Sequence, residues 1–240
     1  MKMESPMGLA AAGSLAPAPA SPASRVRLVA ELALLFIGMP LAMTYAIHTY
    51  RVSLILMLQP VLIGLILFLL WDRTFSLKRE LGQGFPLGEL KWIVAIFVAG
   101  GLAAAAWVWL SRPADFLSLP VSRTRLWIII MIFYPLLSAL PQELVYRTFF
   151  FHRYGPLFGN RRGLAIALNG ALFGFAHVMF GSAISIVLSG ALGLLLAHRY
   201  TQTRSIWAVW VEHTLYGQLV FTVGLGRYFF TGVSVLPHPG

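Results

Sequence analysis

The sequence predicts an all-α, polytopic transmembrane bundle of about seven spans, and three observations predict it. Hydrophobic residues make up 58% of the 240, charged residues only 11%, and the mean hydropathy is +0.78. That balance lies far from the one a water-soluble domain needs to cover its surface. Several runs approach the roughly 20 apolar residues that carry a helix across about 30 Å of hydrocarbon. The runs are continuous rather than alternating with period two, so helices, not strands of a closed barrel, satisfy the backbone in lipid.

Taken in order, residues 1–27 are expected to be a disordered cytosolic tail. Met1–Ser24 is rich in Ala, Pro and Ser and lacks the basic start and apolar centre of a signal peptide. The segment 28–125 supplies three spans with their loops: Leu28–His48, Val52–Trp71 and Trp92–Leu110. Between the second and third, Asp72–Glu89 is the longest loop and has room for a short interfacial helix. The segment 126–223 supplies four more spans, Leu126–Phe151, Leu164–Phe180, Ala183–Tyr200 and Ile206–Val223. The tail 224–240 follows, and Tyr228–Leu236 is a candidate to lie in the interface.

The net charge of +10 would suggest nucleic acid in a soluble protein, but the basic residues sit between the apolar runs, so they report topology and no nucleic-acid partner is expected. With the N-terminus inside, 12 of the 18 Lys and Arg fall on the cytosolic side and 5 outside, with Arg147 within a span. The expected orientation is therefore N-in and C-out in the cell membrane. Cysteine is absent, which excludes disulfides, thiol nucleophiles and cysteine-ligated zinc. Gly170 and Gly174, with Ser189, Gly190 and Gly193, read as small-residue faces for close helix packing.

Ionisable side chains within hydrocarbon are costly unless paired, so each is a candidate for function. In Pro141-Gln142-Glu143-Leu144-Val145-Tyr146-Arg147, Glu143 and Arg147 stand at i, i+4 and stack on one helical face, either as a structural ion pair or as part of a site. The fifth span contributes Phe173 and His177 on one face, with Asn169 a turn earlier, and the seventh contributes Glu212 and His213. One carboxylate and two imidazoles on three apolar helices supply a base for water and donors for an oxyanion. Glu143, His177 and His213 also make up a donor set that suits zinc, with water in the fourth position.

The order Glu-x-x-x-Arg, Phe-x-x-x-His and then His213, each on its own span, resembles the CPBP family of CAAX proteases and bacteriocin-processing or immunity proteins over roughly Leu126 to Val223. The resemblance implies a CAAX-protease-like core that cleaves a membrane-anchored or lipidated protein within the bilayer. In that reading Glu143 is the base, sharing a water with His177, His213 stabilises the oxyanion, and Arg147 orients Glu143 and keeps it charged. No cofactor is required, although zinc is an option because family members are often described as metalloproteases.

Two positions depart from the family pattern. Gln142 stands where the first of two glutamates is usual, and Gly217 stands where an Asn or Asp donor is usual. An amide can position water but cannot take its proton. Glu212 is the substitute carboxylate if Glu143 is not presented. A catalytically decayed relative with an immunity or membrane-chaperone role is one alternative. A small ion-coupled transporter is another, against which stands the lack of an inverted repeat.

Overall fold

The computed structural model describes residues 22–231, and the regular elements among them are all helical. In chain order they are α1 (Ala23–Tyr50), α2 (Leu54–Trp71), the short α3 (Leu77–Gly82), α4 (Leu90–Ser111), the short α5 (Ser118–Ser122), α6 (Thr124–Phe158), α7 (Arg162–Phe180), α8 (Ala183–Thr203) and α9 (Ile206–Val223). The fold is an all-α polytopic bundle, and its seven long helices correspond one to one with the seven apolar runs. Five of them, α1, α4, α6, α7 and α8, are long and apolar enough to cross a membrane. The apolar stretch of α2 is shorter, and α9 is diluted by Glu212, His213 and Gln218.

Boundaries differ from expectation where polar residues continue a helix past the apolar run. Residues 23–27, expected in the tail, already belong to α1. The rest of that expected tail, and most of Tyr228–Leu236, lie outside the described residues. Helix α6 continues to Phe158, beyond the expected end at Phe151, and α7 begins at Arg162 rather than Leu164. This brings Glu143 and His177 to one depth: each lies fifteen residues from its helix end, about 22 Å at 1.5 Å per residue.

Segments expected on one side of the membrane do meet at one end of the bundle. Arg153 of α6 makes a two-pronged pair with Glu31 of α1, at 2.9 and 2.8 Å. His152 bonds Asp72 at 3.0 Å, and bonds from Thr74 hold the Asp72 carboxyl down to about 2. Helix α3 is a short helix within the long loop, where one was expected. It docks on α9 through Trp207 Nε1, which donates to the Leu81 carbonyl, while the Ser205 hydroxyl donates to Gly84. At the other end Arg227 pairs with Asp115 at 2.8 Å, and Trp127 donates to Thr222. Between these ends the surface is apolar: Leu102, Trp109 and Leu110 on α4 and Leu67 and Leu70 on α2 are exposed, as lipid-facing side chains must be.

Proline shapes the middle of α6. Pro135 and Pro141 lack an N–H, so each leaves the carbonyl four residues back without its helical donor and crowds it with the ring. The ladder responds by widening into π turns at Pro135–Ala139 and again at Leu144–Phe149, with Leu140–Glu143 between them. Helix α9 docks on this widened stretch: Gln218 Nε2 donates to the orphaned Met131 carbonyl at 2.9 Å, and Trp210 Nε1 adds a second donor, at 2.7 Å, to the Pro135 carbonyl that already accepts the Leu140 N–H.

Helices α7 and α8 approach most closely, as the small residues predict. A Cβ on Gly174 would meet the Ile186 carbonyl oxygen at 2.8 Å and Gly190 Cα at 2.9 Å, and one on Gly193 would meet Phe173 Cβ at 2.9 Å. This contact fixes the face of α7 that carries Asn169, Phe173 and His177.

Candidate active site

Gln142 and Glu143 are adjacent on α6, about 100° apart around the helix, and they serve different neighbourhoods. Gln142 is half-buried, donates through Nε2 to Ser138 Oγ at 2.9 Å, and lines a cavity of about 710 Å³ between α1, α2, α6 and α7. Glu143 is fully buried and points to α9, where its Oε1 lies 2.7 Å from His213 Nδ1. A carboxylate oxygen accepts, so the proton lies on Nδ1 and the neutral ring presents a lone pair at Nε2.

Arg147 stands one turn beyond Glu143, with Nε 3.1 Å from Glu143 Oε2. The contact is an ion pair without hydrogen-bond alignment: Glu143 Oε2 and Arg147 Nε and Nη2 are buried and lack hydrogen-bond partners. Arg147 Nη1 donates to Asn169 Oδ1, and Asn169 Nδ2 donates to the Tyr146 carbonyl at 2.6 Å. The guanidinium also sits over the Phe173 ring, 5.0 Å from its centroid. Phe173 is the hub of the site, with ring centroids 5.1 Å from His177 and 5.5 Å from His213.

His177 is settled by its own backbone. Its Nδ1 lies 2.8 Å from the Phe173 carbonyl, which can only accept, so the neutral ring again carries its free lone pair on Nε2. His177 lines the same cavity as Gln142, together with apolar side chains such as Phe36, Met43, Val145 and Met179. Glu143 and His213 are not on that wall. Glu143 Oε1 is taken by His213, and its Oε2 has no hydrogen-bond partner.

The remaining expected residues fall as follows. Glu212 is buried but turned to α8, where both its oxygens accept from Arg199, which also bonds Glu89. It is a clasp between helices and offers no free oxygen as a substitute base. The expected zinc set is not assembled: among the described residues no three His, Cys, Asp or Glu stand close enough to share an ion. Phe173 packs against both imidazoles, and Glu143 bonds to His213.

Gly217 is occupied in an unexpected way. A Cβ built there would overlap the ring and hydroxyl of Tyr134, whose ring centroid lies 6.1 Å from that of His213. The missing side chain at 217 is thus the room that a phenol from α6 fills. Sequence reading passed over Tyr134, although Tyr134, Ser138 and Gln142 are spaced at i, i+4 and i+8. Its partner at Gly217 is on another helix, so no local signal named it.

Residues 124–218 match the family model described as Rce1-like, type II CAAX prenyl endopeptidase Rce1-like. The match supports a CPBP-type intramembrane protease core over these residues. The match begins at α6 and ends one residue past Gly217, so the matched segment holds Glu143, Arg147, Phe173, His177 and His213 and leaves α1 to α5 outside it. The family is one of intramembrane CAAX-type endopeptidases, whose substrates in general are membrane-associated prenylated proteins. No curated protein and no solved structure matches the chain.

Proposed function

We propose that the chain hydrolyses a peptide bond in a lipidated, membrane-anchored protein, with the buried Glu143–His213 pair as proton acceptor for water. The single observation that carries this reading is the 2.7 Å bond between Glu143 Oε1 and His213 Nδ1 in a site that keeps Oε2 without a hydrogen-bond partner. Arg147 holds Glu143 through the ion pair, and the carboxylate stabilises the imidazolium that forms when His213 takes a proton. His177, held as the Nδ1–H tautomer, turns to the cavity side, where it serves the scissile amide. Tyr134 stands in the space of the missing side chain at 217 and supplies an O–H donor for the oxyanion. The apolar cavity beside Gln142 and His177 takes the lipid of the substrate. The N-terminus faces the cytosol in this reading, as the charge distribution favours.

The test is processing of a prenylated CAAX substrate by the purified chain in liposomes. Glu143→Gln retains the shape of the side chain but removes the negative charge that stabilises the His213 imidazolium, so it is expected to abolish processing while protein levels stay near normal. Tyr134→Phe is expected to lower kcat by about 10²-fold or more, the scale of removing one oxyanion donor. Processing that persists in Glu143→Gln would overturn the assignment of the base.

The structure also carries an observation for the decayed-relative reading. Gln142 shares the cavity wall with His177, and Glu143 does not. A parent that processes no substrate but gains activity on Gln142→Glu would decide for that reading.

A further inference from the structure

A second cavity, of about 240 Å³, opens at the charged end of the bundle, away from the site on α6, α7 and α9. It lies between α3, the His152 turn of α6 and the link from α8 to α9, and its wall includes Ser76, Arg79, Glu80, His152 and Arg204. Two guanidiniums face one carboxylate there. Neither arginine makes an ion pair among the described residues. Glu80 Oε1 instead accepts from the Tyr200 hydroxyl at 2.6 Å and the Thr148 hydroxyl at 2.8 Å, and His152 is held by Asp72.

Arg204 is the informative residue. It ends α8 with φ at 54°, the left-handed region that suits glycine, and lays its guanidinium over the Tyr200 ring at 4.8 Å. Its Nη1 is shielded from solvent and has no hydrogen-bond partner. A side chain other than glycine in this conformation, with a buried guanidinium nitrogen left unpaired, is costly unless something accepts from it. Opposite stands Arg79, whose guanidinium is uncommitted, and the Ser76 hydroxyl, which accepts from the Arg79 amide and keeps its own hydrogen to donate.

We infer that this pocket binds a phosphate group at the membrane surface, Arg79 and Arg204 supplying forked donors and Ser76 a hydroxyl. Arginine forks match phosphate oxygens, and basic pockets at the headgroup level of helical bundles suit anionic lipids. The pocket lies at an end of the apolar helices, since the Trp207 and Ser205 bonds dock α3 and the loop after it at the start of α9. A lipid phosphate and free inorganic phosphate share this chemistry, and the experiment separates them.

The probe is phosphatidic acid, titrated into the full chain in neutral detergent and read as a rise in Tm, with phosphatidylcholine as the control lipid. Arg204→Gly removes the guanidinium while relieving the left-handed strain, and exposed Arg79→Gln leaves the fold untouched, so both variants should unfold near the parent temperature without lipid. Each is expected to weaken the phosphatidic acid response by about tenfold or more, as the loss of charge-assisted hydrogen bonds implies. An unchanged response in both variants, or an equal response to phosphatidylcholine in the parent, would overturn the site. Inorganic phosphate is added as competitor: failure to compete assigns the site to the lipid, and competition assigns the same site to soluble phosphate.

Discussion

Two buried acid–arginine clusters lie on different sides of α9, and they differ in how completely they are satisfied. Glu212 gives both oxygens to Arg199, which gives its remaining nitrogen to Glu89, so that α8, α9 and the start of α4 are clasped with every nitrogen and oxygen of the Arg199–Glu212 pair bonded. Its neighbour in sequence, His213, belongs to the other cluster. There Glu143 has one oxygen on the imidazole and one beside Arg147 without alignment, and Arg147 has two nitrogens unpaired. Both clusters hold an acid and an arginine in low dielectric, where an unmet group is expensive. A closed cluster locks helices, whereas one with vacancies has capacity left for a water or a substrate.

The largest expected effect is on the closed cluster. Arg199→Ala strips Glu212 of both its bonds and should cost about 3–5 kcal/mol, the cost of leaving a buried charge unpaired. Abundance in the membrane and thermal unfolding of the purified chain check this, and a variant as stable as the parent would break the contrast. A smaller loss is expected at the open cluster. Arg147→Ala should lower abundance more than Arg147→Lys, since lysine keeps a charge beside Glu143 but not the bond to Asn169. Equal, normal abundance of both would show that the arginine is no structural partner at all.

The smallest effect on the fold is expected at Gln142, which lies on a cavity wall with only the Ser138 bond to lose. Gln142→Glu should shift stability by less than about 1 kcal/mol. Its effect on processing sharpens the contrast further. No gain in activity is expected where Glu143–His213 already accepts the proton, and two adjacent carboxylates in low dielectric oppose each other's ionisation.

The helices and their number were legible because in lipid a continuous apolar run has one stable backbone solution. Glu143, Arg147, Phe173, His177 and His213 stood out because ionisable residues are rare in such runs and because three spaced motifs follow in order. Their partners were less legible. Glu143 and His213 are 70 residues apart, and spacing along α6 could not tell which of Gln142 and Glu143 faces α9. That depends on the π turns at 135–139 and 144–149 and on the donor that Gln218 of α9 offers to the Met131 carbonyl orphaned by Pro135. Sequence offered Glu212 as a spare base, and packing against Arg199 removed it.

The amino-acid sequence by itself determined an all-helical membrane chain, the order of its spans and the identity of its intramembrane charges, because hydrophobic length and helical spacing are local properties. Only the tertiary structure decided which charges are neighbours, that Tyr134 fills the space left at Gly217, and that Glu143 meets one histidine rather than two. These depend on how α6 is rotated and how closely α7 and α8 approach, and such contacts are set by helices distant in the chain packing to a common depth.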